Sequence, residues 1–310
     1  MNAPSPSPTC RLTAVHVGDR DGWHATTRPV AFGPELAAPP ALASDGETLV
    51  VVGTAVADGL MRIWAGSPGQ LEEMCVVGER HQPVAVTRAH GRWHLFGTDH
   101  LERPCHATST DLVTWTVDHA FPLEHPHVIL RGAAAADDHV VVLAEVVVQG
   151  RSMGWTLLHG AEDRVAIGDF RAREITFPLT AAHRVVGPAH VRDDEIALAI
   201  TSATTQMVAR TVPGTHGRSW TLGLLSPPVH PTVALARGRQ VWVAGDDLLS
   251  GSPLLVVSGG HAVRLDGRDG AVCAATFHGE VLILPRMPSA PDAGLDDQSS
   301  PAYISSISLA

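Results

Sequence analysis

The residues best equipped for chemistry are histidines that stand just ahead of small-residue segments. They are His81 (before Gln82-Pro83), His125 and His127 (around Pro126), His183, His190, and His230 (before Pro231). A second set follows strongly apolar segments: Asp99-His100, Glu145, Asp246-Asp247 and Arg286. If these positions share one mouth of the fold, three imidazoles could hold Zn or Fe and leave an open position for water or substrate. His81, His127 and His230 form that candidate metal set. Without a metal, His81, His125, His127 and His230 could act as general acid and base, with Glu145 or Asp99 orienting a ring. Gln82, His100, Asp246 and Arg286 are then candidate substrate contacts. The chain has 18 histidines, so composition alone places several near any one end. An imidazole beside Pro also has a plain role, bonding the backbone.

Six segments must position these groups, and they share one pattern. A small-residue run is followed by a polar turn and a strongly apolar run. They begin at Pro40 (PALASDGETLVVVG), Pro83 (PVAVTRAHGRWHLFG), Arg131 (RGAAAADDHVVVLAE), Gly187 (GPAHVRDDEIALAIT), Pro231 (PTVALARGRQVWVAG) and Ala271 (AVCAATFHGEVLILP). Turns such as Asp45-Gly46 and His90-Gly91 are hairpin signals between β-rich runs. The middles of the apolar runs are Val51, Leu95, Val142, Leu198, Trp242 and Ile283, spaced by 44, 47, 56, 44 and 41 residues. That period suits a four-stranded blade, and helical periodicity is absent. The expectation is a single all-β domain over residues 1–310, a six-bladed β-propeller, with five blades as the alternative. The first strand of each blade needs small residues because blades crowd at the axis. Residues 302–309 should supply the third strand of the last blade and the N-terminal segment, RLTAVHVG and WHATTRPVAF, the fourth, closing the ring and removing a free edge. Residues 1–9 are expected to be flexible. Residues 285–301 are too long and too rich in Pro, Ser and Asp for a turn, and a lid is one role for them.

Ser109-Thr-Asp111-Leu-Val-Thr-Trp115 resembles the S-x-D-L-x-x-W signature of glycosidase propellers of the arabinanase, xylosidase and invertase clan. Thr215-His-Gly217-Arg-Ser-Trp220 resembles a decayed sialidase Asp-box, with Thr in place of Asp. The resemblance implies that Asp111 caps a turn and that Trp115 and Trp220 pack between blades. The clan also implies an Asp beside Pro as catalytic base, where this chain has His81-Gln82-Pro83. Glycoside hydrolysis needs two opposed carboxyl groups. No first strand here begins with an acid, so the clan's catalytic carboxylates are missing.

The chain has 22 Lys and Arg against 32 Asp and Glu, a net charge of −10. That balance argues against nucleic acid and against an anionic membrane surface. No run of about 18 apolar residues exists to span a bilayer. The N-terminus lacks the basic start and apolar run of a secretory signal. Cys10, Cys75, Cys105 and Cys273 are dispersed, which suits reduced thiols in the cytoplasm. The leading expectation is a cytoplasmic enzyme acting on a sugar or another small organic molecule. Its chemistry would be of lyase, cyclase or hydrolase type in a histidine-lined funnel, with or without a divalent metal. The alternatives are a non-catalytic carbohydrate- or ligand-binding propeller and a protein-interaction scaffold.

Overall fold

A short run such as Leu49–Thr54 (LVVVGT) carries four consecutive apolar side chains instead of alternating, and it is buried at every position. It therefore has to be covered on both faces, as an interior strand packed between sheets. The computed structural model describes residues 10–18, 22–30, 36–37, 40–68, 70–79, 82–99, 103–118, 128–136, 139–161, 170–174, 179, 182–192, 195–212, 219–249, 253–257, 261–264, 271–277, 280–285 and 305–307. Among them all regular structure is β, and no helix is long and apolar enough to cross a membrane.

The N-terminal strands are β1 (Cys10–Gly18) and β2 (Gly22–Val30). Next come β3 (Ala41–Ser44), β4 (Leu49–Thr54), β5 (Leu60–Ser67) and β6 (Gln70–Glu79). The third group is β7 (Gln82–Ala89), β8 (Arg92–Thr98), β9 (Pro104–Ser109) and β10 (Thr116–Asp118). Then follow β11 (Val128–Ala136), β12 (His139–Val148), β13 (Arg151–Ala161) and β14 (Phe170–Glu174). β15 (Arg184–Arg192), β16 (Glu195–Thr201), β17 (Gln206–Thr211) and β18 (Trp220–Leu224) form the next group. β19 (Val229–Arg237), β20 (Gln240–Asp247), β21 (Pro253–Val257) and β22 (His261–Arg264) come after it. The last strands are β23 (Ala271–Phe277), β24 (Glu280–Pro285) and β25 (Ser305–Ile307).

Each group from β3 to β22 is one antiparallel four-stranded sheet in chain order. The remaining strands make a sheet ordered β1-β2-β25-β24-β23. The N-terminal segment thus supplies two strands where the sequence suggested one. Residues 1–9, and 286–301 of the expected lid, lie outside the described residues. First strands pack on first strands: β3 on β7, β7 on β11, β11 on β15, β15 on β19, β19 on β23, and β23 on β3.

The second strands feed two cores each. On β12, Val140 and Val142 join Phe96, while Val141 and Leu143 join Ile196, Leu198 and Ile200. On β16, Ala197 and Ala199 face Val241 and Val243 instead.

The turns use local chemistry. Asp45 Oδ1 accepts from the Glu47 and Thr48 amides, and its other oxygen pairs with Arg88 on β7. His90 and Gly91 take φ of 49° and 73°, the left-handed pair of a tight hairpin turn.

One irregularity recurs on the first strands. The pairing register slips between Pro83 and Ala85, Leu130 and Gly132, Val186 and Ala189, Pro231 and Val233, and Ala271 and Cys273. Each slip is a β-bulge, an extra residue on one strand. The bulged Val84, Arg131, Gly187 and Thr232 line a central cavity of about 240 Å³ between the first strands. The chain opposite a bulge must come close. A Cβ on Gly97 would lie 2.4 Å from the Gln82 carbonyl oxygen, and one on Gly245 would lie 2.0 Å from that of His230.

Candidate functional site

Register, rather than loop position, fixes which residues are equivalent. Pro83 pairs with Gly97 and Pro231 with Gly245. One step towards the sheet end, Gln82 faces Thr98, Ile129 faces Glu145, and His230 faces Asp246. The counterpart of His230 is therefore Gln82 in one sheet and Ile129 in another. The sequence reading had matched it with His81 and His127. His81, His100, His125, His127 and Arg286 lie outside the described residues. The second-strand partners Glu145 and Asp246 do fall at equivalent positions in their sheets.

Glu145 is 9% exposed at residue level. Burying a carboxylate requires partners, and Arg131 supplies them. Its Nε and Nη2 donate to Glu145 Oε2 at 2.9 and 2.5 Å. Arg131 is the bulged residue of β11, and its side chain remains 46% exposed. Among the described residues, Glu145 Oε1 makes no such bond. Across β12 and β13, Glu145 pairs with Trp155, whose buried indole N–H finds no partner among the described residues.

A second cluster joins two sheets. Arg184 opens β15, and its Nη1 lies 2.6 Å from His230 Nε2. Guanidinium only donates, so this nitrogen accepts and the ring is neutral, with its proton on Nδ1. Burial, and then the Arg184 charge, hold the His230 pKa below the ordinary imidazole value, while Asp246 opposes them. Asp246 Oδ1 is buried and has no hydrogen-bond partner among the described residues. A metal at His230 Nε2 would have to displace Arg184. Among the described residues no three His, Cys, Asp or Glu side chains are grouped to hold a metal ion.

Other candidates have different partners. Asp99 accepts from Arg103: Oδ1 from the backbone amide at 2.9 Å, and Oδ2 from Nε at 2.8 Å and Nη2 at 2.6 Å. Asp99 thus closes the β8–β9 connection. Gln82 is exposed at the start of β7, and His183 and His190 are half-buried on or beside β15. The Ser109–Trp115 turn matches its resemblance. Asp111 Oδ1 accepts from the Val113 and Thr114 amides at 2.9 and 2.8 Å, and Trp115 Nε1 donates to the Leu112 carbonyl at 3.1 Å. These bonds hold the Asp111 carboxyl below its usual range, with the Thr114 amide contributing most. Residues 213–218 of the second such turn lie outside the described residues. Cys75 and Cys105 form no disulfide, and burial pushes the Cys105 thiol up to about 11, which disfavours its thiolate.

Sequence reading missed Arg131, Arg184 and Trp155. Arg131 carried one signal, a lone charge within a run of small residues on a first strand. It also missed His94 and His106, two imidazoles on buried strands, because they lie in an apolar pattern and away from loops.

No family model and no curated protein matches this chain. Solved structures do resemble it. A mutant of the Aleuria aurantia lectin AAL, in complex with Fucalpha1-6GlcNAc, superposes with a TM-score of 0.58 at 10% identity, covering 89% of this chain and 98% of that one. The SapL1 lectin in complex with alpha methyl fucoside gives 0.55 at 12%, covering 82% and 90%. The Hadza microbial sialidase Hz136 gives 0.59 at 13%, covering 87% of this chain and 65% of its own. At such identities the likeness is one of fold, and the fold is all-β and propeller-like.

Proposed function

We propose that this chain is a carbohydrate-binding propeller, six sheets closed into a ring, that takes sugar hydroxyls at the sheet ends. One observation carries the reading. At equivalent register in two sheets, an acid with an unused oxygen sits in a cluster with an arginine: Glu145 with Arg131, and Asp246 with Arg184 through His230. A vicinal diol needs a donor and an acceptor side by side, and these clusters offer both. Trp155 beside Glu145 adds an aromatic surface for the apolar face of a sugar ring. The lectin neighbours, each solved with a fucose-containing ligand, support sugar as the ligand class. The first-strand contacts running from β3 round to β23 and back to β3 support six sheets in a ring.

Catalysis on a sugar or another small molecule is the second reading. His230 and Asp246 face each other across β19 and β20 in its favour. In this version His230 is the proton acceptor once Arg184 leaves Nε2. A metal variant adds His81 and His127 as ligands, and elemental analysis of the purified protein decides it.

A glycan array followed by calorimetry tests the main reading. A sugar that binds wild type, and binds Glu145→Gln and Asp246→Asn at least tenfold more weakly, is the expected result. An array without any hit overturns it. Turnover of the bound sugar would select the second reading.

A further inference from the structure

β8 and β9 carry an uncommon pair. His94 is 3% exposed and His106 is 0% exposed. Their rings stack with centroids 5.4 Å apart, and His94 Nδ1 lies 3.2 Å from His106 Nε2. Phe96 stacks on the other side of His106 at 4.8 Å. Alternation puts His94 and Phe96 on one face of β8. Phe96 belongs to the core shared with Val128, Leu130, Val140, Val142 and Leu158 of β11 to β13. The pair therefore sits in the seam between two neighbouring sheets.

A backbone carbonyl at Ala89 takes a hydrogen bond from His94. Nδ1 is occupied by His106, so the Ala89 bond uses His94 Nε2–H. His94 Nδ1 must then accept, and His106 Nε2 must donate. The arrangement holds only while the His94 ring is neutral. A proton arriving at His94 Nδ1 sets two N–H groups against each other and breaks the bond. A second charge on His106 would put two cations 5.4 Å apart in an apolar seam.

We propose that His94 and His106 form an acid-sensitive latch, whose protonation loosens the seam between the β7–β10 sheet and the β11–β14 sheet. The charged and titratable groups bearing on the pair are His90 and Arg92, both of which disfavour a further positive charge on His94. Asp118 on β10 is the Cα partner of His106. From the facing sheet, Val128, Leu130, Val140, Val142 and Leu158 pack in the shared core. Burial depresses both rings, His94 to about 4 and His106 to about 3. The unfolded or opened chain takes protons at the ordinary value near 6.5. Stability from the seam is thus complete above about pH 6.5 and is lost progressively as pH falls towards about 4.

The test is NMR of the full wild-type chain. Imidazole nitrogen shifts are followed from pH 7.5 to 4.5, together with amide exchange corrected for its intrinsic pH dependence. Both rings should stay neutral well below pH 6.5. Opening of β8, β9 and β11 should rise by up to about tenfold per pH unit for each proton taken up, while β16 and β20 stay protected. His106→Phe, which keeps the ring stacked on Phe96, should flatten this dependence. The latch is overturned if both rings titrate near pH 6.5, or if exchange in β8, β9 and β11 follows that in β16 and β20 throughout. Wild-type data decide the matter even if the variant does not fold.

Discussion

Asp246 and Glu145 occupy the same register position, yet they should respond differently to the loss of charge. Glu145 is tied to Arg131 by two hydrogen bonds, so Glu145→Gln weakens a real contact. Half-exposure of the guanidinium screens the pair, and the expected cost is about 1 kcal/mol in urea unfolding. Asp246 Oδ1 has no hydrogen-bond partner among the described residues. Asp246→Asn removes a charge from a buried oxygen that no hydrogen bond among the described residues holds, so it should not lower stability, while weakening sugar binding tenfold or more. A large stability loss in Asp246→Asn would mean that this oxygen is structural. Asp111→Ala should do the reverse, lowering the thermal midpoint and leaving sugar binding untouched, because its bonds all serve one turn. At this scale the sequence was only partly readable. Acids at second-strand ends could be found from the repeat, and Asp111 from its turn motif. The arginines that engage Glu145 and His230 are distant in the chain and follow no spacing rule.

The hairpins themselves were plain in the sequence, since each pairs a small-residue run with an apolar run across a polar turn. The bulges were not. Nothing in PVAVTRA or RGAAAA marks one residue as unpaired; only the partner strand shows it. The glycines opposite are the exposed consequence. Gly97→Ala and Gly245→Ala would each push a methyl group into a backbone carbonyl that cannot rotate away. Each should cost roughly 2–4 kcal/mol in denaturant unfolding, well beyond the loss from an ordinary strand substitution. Gly223→Ala on β18 is the control. No atom lies within 4 Å of its new methyl, so it should be neutral or slightly stabilising. Equal effects at all three positions would mean that the close approach is not what selects glycine.

The whole molecule depends on how its two ends meet. β25 lies between β2 and β24, so one sheet draws on both termini. Deleting residues 302–310 removes β25 and its pairing with β2 and β24, which leaves β2 an open edge and β24, on that side, only its bridge to β1 at Thr13 and Ile283. Bare edges pair with other chains. The truncated protein should melt at lower temperature and self-associate in size-exclusion chromatography with light scattering. A truncated chain that stays monomeric and equally stable would refute closure through this sheet. The repeat of antiparallel sheets was legible because its period survives in the apolar strands. The second N-terminal strand was not, because RLTAVHVG and WHATTRPVAF fall outside that period.

The bulges in the first strands carry one more implication. Val84, Arg131 and Thr232 each stand outside the pairing ladder while turning towards the central lumen. Each also makes one contact away from the lumen: Val84 packs on the core shared with β11 to β13, Arg131 holds Glu145, and Thr232 Oγ1 donates to the Ala244 carbonyl. Substitution at these places rewrites what the lumen offers to a guest, one rung at a time, and each change gives up a single neighbouring contact and no ladder bond.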